Sequence, residues 1–172
     1  MSDPLQLTLR VIHVFGGIFW AGSVFFLLRF LMPAIAGSGS GGQAVQQQLM
    51  TKQKLGVFIP LAALLTVLSG LGMYARNVVG SSGVWVHSRP GVTYGVGGLA
   101  AIIALVIGAT IIGPSLEKIV KIQLAAQTSG RALTADEAAT VARMGARSAG
   151  GTRVVARLLV ITVAAMAIGR YV

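Results

Sequence analysis

His13 is the residue from which chemistry can be read. It lies in a run, residues 11–28, that holds no formally charged side chain, and Gly16, Gly17 and Trp20 follow it at three, four and seven residues. That spacing puts all four on one face of a helix. An imidazole in an apolar span is costly unless it is hydrogen-bonded, faces the bundle or ligates a metal. Glycine one turn away leaves a flat gap on the helix surface, and a planar macrocycle such as haem b could lie against that gap with the imidazole as axial ligand. Three readings stand side by side: a haem ligand, another metal or proton-transfer group, or a ring bonded to water or a backbone carbonyl beside glycines that serve helix packing.

The rest of the chain excludes more chemistry than it offers. Its four carboxylates are Asp3, Glu117, Asp136 and Glu137. None falls in an apolar run, which argues against a paired-carboxylate site or a carboxylate proton relay inside a membrane. There is no cysteine, so thiolate metal sites and catalytic thiols are excluded. No GxxxxGK[ST] sequence supports nucleotide binding, and a Ser-His-Asp arrangement lacks its third member. The six methionines are too scattered for a copper relay.

Composition then says what must position His13. Of the 172 residues 55% are hydrophobic and 10% charged, against about 25% charged in soluble domains. The solvent for most of the chain is lipid. Four spans of roughly 20 residues fit within one domain, at about 5–33, 55–76, 91–114 and 154–171. Met1 to Asp3 lacks the basic start of a signal peptide, so the first run is expected to be retained. Residues 37–42 (GSGSGG), followed by Gln46 to Gln48, read as a flexible polar connection, and residues 77–90, with Trp85, His87 and Arg89, as an interfacial loop. Pro60 lies near the start of span two, where proline is tolerable. Span four is the weakest, because Arg157 falls inside it and must snorkel or find a partner. Between spans three and four, residues 115–153 read as a helical hairpin: Gly130 can supply a left-handed break, Thr134 and Glu137 form a capping box, and Ile119, Val120, Val141 and Met144 fill the seam.

The fold class this defines is an all-α, antiparallel four-transmembrane-helix bundle with a cytoplasmic helical extension between helices three and four. The connections after spans one and three hold Arg29, Lys52, Lys54, Lys118, Lys121, Arg131, Arg143, Arg147, Arg153 and Arg157. The other face holds Arg10, Arg76, Arg89 and Arg170. Ten against four puts the long connections inside and both termini outside a bacterial inner membrane. The formal charge of +10 is expected to meet anionic lipid headgroups at the cytoplasmic face, not nucleic acid.

The run His13-Val-Phe-Gly-Gly-Ile-Phe-Trp20-Ala-Gly22, with Arg29 sixteen residues after the histidine, resembles the first span of the four-helix membrane superfamily that includes copper-resistance D proteins and HemJ-type protoporphyrinogen oxidase. Leu68-Ser-Gly-Leu-Gly-Met-Tyr74 and Met166-Ala-Ile-Gly-Arg-Tyr171 are similar to small bacterial membrane proteins near that group. The resemblance implies b-type haem on the first-span histidine and a second ligand from another span. Spans two to four hold no histidine or lysine at depth, so the second ligand that the resemblance implies is missing from them; His87, in the outer loop, could supply it. His13 and His87 would then hold iron, with Gly16, Gly17 and Trp20 against the macrocycle and Arg76 or Arg89 pairing with propionates. The same outer residues, with Tyr74, Trp85, Tyr94, Arg170 and Tyr171, also describe an ordinary interfacial belt. Two functions follow as expectations. One is a haem-bearing redox protein or oxidoreductase subunit with an outward-facing site. The other is a cofactor-free structural or assembly subunit, in a homo-oligomer or a larger membrane complex, whose glycine-lined faces pack against partners.

Overall fold

The computed structural model describes residues 3–172. These are 89% helix, without strands. The elements are α1 (Pro4–Phe26), a π-helical segment (Leu27–Leu31), α2 (Met32–Gly37), α3 (Gly39–Thr51), α4 (Leu55–Gly80), a short 3-10 turn (Val84–His87), α5 (Arg89–Ile107), a second π segment (Gly108–Ile112), α6 (Gly113–Thr128) and α7 (Ala135–Ile168). Four continuous helical stretches are long and apolar enough to cross a membrane: Pro4–Gly37, Leu55–Gly80, Arg89–Thr128 and Ala135–Ile168.

Local chemistry sets where these helices start. Asp3 accepts bonds from the Leu5 and Gln6 amides ahead of Pro4, and Ser88 accepts one from Gly91 ahead of α5. Thr134 and Glu137 form the expected reciprocal capping box at the head of α7, and Gly130 takes the expected left-handed conformation at φ 61°. Proline also explains both π segments. Pro33 lies four residues after Arg29, and Pro114 four after Thr110. Proline has no N–H to give, and its ring crowds the carbonyl four residues back. The ladder widens by one residue to relieve this, so that Met32 N–H bonds Leu27 O and Gly113 N–H bonds Gly108 O.

The structure corrects two connections. Residues 37–42 are not a flexible link. Ser38 and Gly39 turn the chain, Gly39 at φ 53°, and α3 begins immediately and packs on α2. Gly42 is buried against the Ile35 backbone, where a side chain would have no room. The interfacial loop is also shorter than expected, because α4 runs on to Gly80. Span four is the apolar half of α7, the longest uninterrupted helix, and Arg157 does not interrupt it. At 1.5 Å per residue α7 is about 50 Å long, well beyond a hydrocarbon core of ~30 Å. Its first half packs on α6. Ile119 is buried and Val120, Val141 and Met144 are half-buried, Val120 lining a cleft with Met50 of α3, and α6 and α7 also bury the small residues Ser115, Ala126 and Ser148.

The helices associate as two pairs, α1 with α4 and α5 with α7, and the pairs meet more lightly through α4 with α5 and α1 with α7. A common core of Trp20, Val24, Ala63, Val67, Ala104 and Leu159 fills the centre.

Candidate functional site

His13 is half-buried on the α1 face that meets α4. Its Nδ1 lies 2.8 Å from the Thr66 carbonyl oxygen. A carbonyl only accepts, so Nδ1 carries the proton and donates, and in the neutral ring Nε2 keeps its lone pair. The ring is seated on Gly70, where a Cβ would come within 2.8 Å of Cε1. Thr66 also covers the glycine gap: a Cβ on Gly16 would meet its Oγ1 at 2.6 Å, and one on Gly17 its Cγ2 at 3.5 Å. The Thr66 hydroxyl donates to Ala62 O at 2.7 Å, so that side chain is held in place. A macrocycle laid against Gly16 and Gly17 would have to displace α4. As packed, Thr66 and α4 occupy the face beside Gly16 and Gly17. Trp20, expected on the same site face, is only 4% exposed and belongs to the central core.

Among the described residues, those expected at the outer face make no bond to His13. His87 ends the 3-10 turn with an exposed side chain that makes no hydrogen bond among the described residues. Arg76 is ion-paired with Asp3, the residue that caps α1, and Arg89 is exposed at the start of α5. What gathers instead is aromatic. Trp85 meets Tyr74 edge-on at 5.1 Å and stacks on Tyr94 at 6.2 Å. Tyr74 donates to Gly91 O at 3.2 Å, and Gly169 of the C-terminal turn lies under the Tyr94 ring. This cluster fastens α4, the 3-10 turn, α5 and the end of α7. Arg170 lies over its neighbour Tyr171. No group of three or more His, Asp or Glu side chains able to hold a metal occurs among the described residues.

Sequence reasoning did not bring together a second set of residues. Arg29, Arg153 and Arg157 line one open groove of about 770 Å³ between α1 and α7, with Phe25, Phe26 and Val160 among its apolar walls. Arg153, Arg157 and Val160 follow the i, i+4, i+7 spacing of one helix face, which was readable. Their approach to Arg29, from the other end of the chain, was not.

Farther out, Arg131 grips Glu137 through two bonds of 2.6 and 2.8 Å. This guanidinium, with the Thr134 amide, holds the Glu137 carboxyl down at about 2.

Compared with known protein families, curated proteins and solved structures, the chain matches none.

Proposed function

We propose that this chain is a cofactor-free structural or assembly subunit of a bacterial inner membrane, an antiparallel four-helix bundle with both termini outside. The observation that carries the proposal is the covering of Gly16 and Gly17 by Thr66, which makes His13 an internal tie between helices. Buried polar side chains in lipid find partners of this kind because an unpaired group is costly there. The antiparallel reading is supported by contacts that run in opposite senses along each pair. Asp3 meets Arg76 and His13 meets Thr66, while Gly97 meets Ala165 and Gly151 meets Ile107 and Ile112. The bias of ten basic residues against four supports the orientation. An assembly role is supported by Gly22, Gly98, Gly145 and Gly150, which have open space beside them. Glycine inside a helix costs about 0.5–1 kcal/mol relative to alanine, and these four have no packing within the chain to offset that.

A visible spectrum of the purified protein, with metal analysis, tests the reading. A featureless spectrum is expected for the wild type and for His13→Ala alike. The haem reading keeps one observation in its favour: the Nδ1–H bond to a carbonyl leaves Nε2 free, which is how ligating histidines are commonly oriented. A reduced b-type Soret and alpha band, lost in His13→Ala, would put that reading in place of the first, with His87, Arg76 or Arg89 as the further residues to examine. Orientation is tested separately. The chain has no cysteine, so a cysteine introduced by Ser81→Cys should react with an impermeant thiol reagent from outside, and one from Ser129→Cys only from inside.

A further inference from the structure

We propose that the groove between α1 and α7 is a binding site for an anionic phospholipid, with Arg29, Arg153 and Arg157 around its phosphate and the acyl chain running along Phe26, Gly22 and Val160. The starting point is charge. Among the described residues Arg29, Arg153 and Arg157 have neither a carboxylate partner nor a side-chain hydrogen bond, although the Arg29 guanidinium lies over the Phe30 ring at 5.7 Å. The chain cannot easily supply one. It has four side-chain carboxylates; Asp3 is taken by Arg76 and Glu137 by Arg131, Glu117 lines a different cleft with Lys121, and Asp136 stands in the first turn of α7, more than four helical turns before Arg153. Three guanidiniums in one groove repel one another until an anion joins them, and the planar fork of arginine suits phosphate oxygens.

The groove is also polar at one end and apolar at the other. On α7 the sequence runs from Arg153 and Arg157 to Val160 as the helix enters its apolar half. On α1 it runs outward from Gly22 through Phe25 and Phe26 to Arg29. Both helices therefore place their charge where an apolar span ends and their hydrocarbon surface toward its interior. That gradient matches a phospholipid, whose headgroup must stay at the boundary. It does not match a free anion, which would gain nothing from the phenylalanines. Gly22 has nothing within 4 Å of where its Cβ would be, so a chain can lie flat against the backbone there. The π segment contributes by widening the helix at Arg29.

The inference rests on reading the four apolar helices as membrane spans. Flotation with liposomes, read on the same preparation, tests that reading by itself. For the site, protein purified in a neutral detergent is titrated with phosphatidylglycerol, phosphatidylcholine or inorganic phosphate, and retained lipid is counted by native mass spectrometry. Phosphatidylglycerol is expected to be retained and to raise the melting temperature, and the other two to do neither. Arg29→Gln, Arg153→Gln and Arg157→Gln should each weaken retention roughly fivefold, whereas Arg143→Gln, on an exposed face of the same helix, should leave it unchanged. Single variants suffice, so the test survives if the triple variant does not fold. Equal retention of phosphatidylcholine, or of phosphatidylglycerol by all three variants, would overturn the site. Competition by inorganic phosphate at equal concentration would overturn the lipid as its occupant.

Discussion

The α1–α4 and α5–α7 pairs are built alike and end differently. Each first helix opens on a capping side chain with proline behind it, runs apolar to a five-residue π segment, and meets a second proline six residues after that segment starts. Each pair carries one side-chain bond to a carbonyl of the partner helix: His13 to Thr66 O at 2.8 Å and Thr162 to Gly97 O at 3.1 Å. The difference lies in what α7 presents to each π segment. Against the second it presents Gly151, where a Cβ would lie 3.1 Å from Ile112, and the helices close. Against the first it presents Arg153 and Arg157, and a groove stays open. A proline-made bulge is a neutral device, then. The neighbouring helix decides whether it becomes a packing surface or a binding surface.

The largest effect should come from the closed contacts of the second pair. A Cβ at Gly97 would lie 2.8 Å from the Ala165 Cβ, 3.2 Å from Met166 Cε and 3.4 Å from Thr162 O. The first neighbour is fixed to backbone, so Gly97→Leu must force the helices apart, at a cost of about 3 kcal/mol. Gly98, one residue on, faces open space, and Gly98→Leu should leave the single chain's stability unchanged or raise it by up to about 1 kcal/mol. Thermal unfolding of both variants in one detergent checks this, and indistinguishable melting curves would remove the packing argument.

The polar ties come next. Hydrogen bonds between membrane helices average about 0.6 kcal/mol, with a maximum near 1.7. His13→Ala loses its bond and the ring seated on Gly70 together, and should fall at the upper end of that range. Thr162→Val should fall at the lower end, because the Thr162 hydroxyl is shared with Leu158 O at 3.0 Å in its own helix. A Thr162→Val variant less stable than His13→Ala would reverse the ranking of the two ties.

The four long apolar helices were legible because hydropathy and length decide them with no knowledge of partners. So was the turn between α6 and α7, since Gly130 and the Thr134–Glu137 box are local signals. The glycine run at 37–42 misled. Glycine reads as flexibility, yet Gly39 and Gly42 are what let α3 fold back tightly on α2. The π segments left a signal that went unused, a proline four residues past Arg29 and past Thr110. A ring bonded to a backbone carbonyl beside packing glycines stood among the readings of His13, but which residues partner it was not legible. Its partners Thr66 and Gly70 lie more than fifty positions away, and nothing in a helix-face pattern says whether a gap beside glycine holds a cofactor or another helix. The same distance in sequence hid the meeting of Arg29 with Arg153 and Arg157.

The smallest effect separates the α2–α3 turn from the α6–α7 turn. In the second pair, α7 starts on a titratable cap. Glu137 accepts the Thr134 amide at 2.9 Å and both nitrogens of Arg131. These partners favour its charged form, so its carboxyl titrates at about 2 against an ordinary 4.5. A carboxyl depressed on folding contributes stability that is fully present above its unfolded value and disappears as pH falls through its folded one. Protection of the first-turn amides of α7 from hydrogen exchange should therefore hold down to about pH 4.5 and decline between there and about pH 2. In the first pair the turn from α2 to α3 rests on Gly39 and on the Gly42 N–H bond to Ser38 O at 3.3 Å, and it contains nothing that titrates. Its amides should keep their relative protection over the same interval. In Glu137→Gln the decline at α7 should vanish, because the side chain still caps the helix but no longer takes up a proton. A decline that persists in that variant would assign the acid sensitivity to some other group and dissolve this contrast between the two connections.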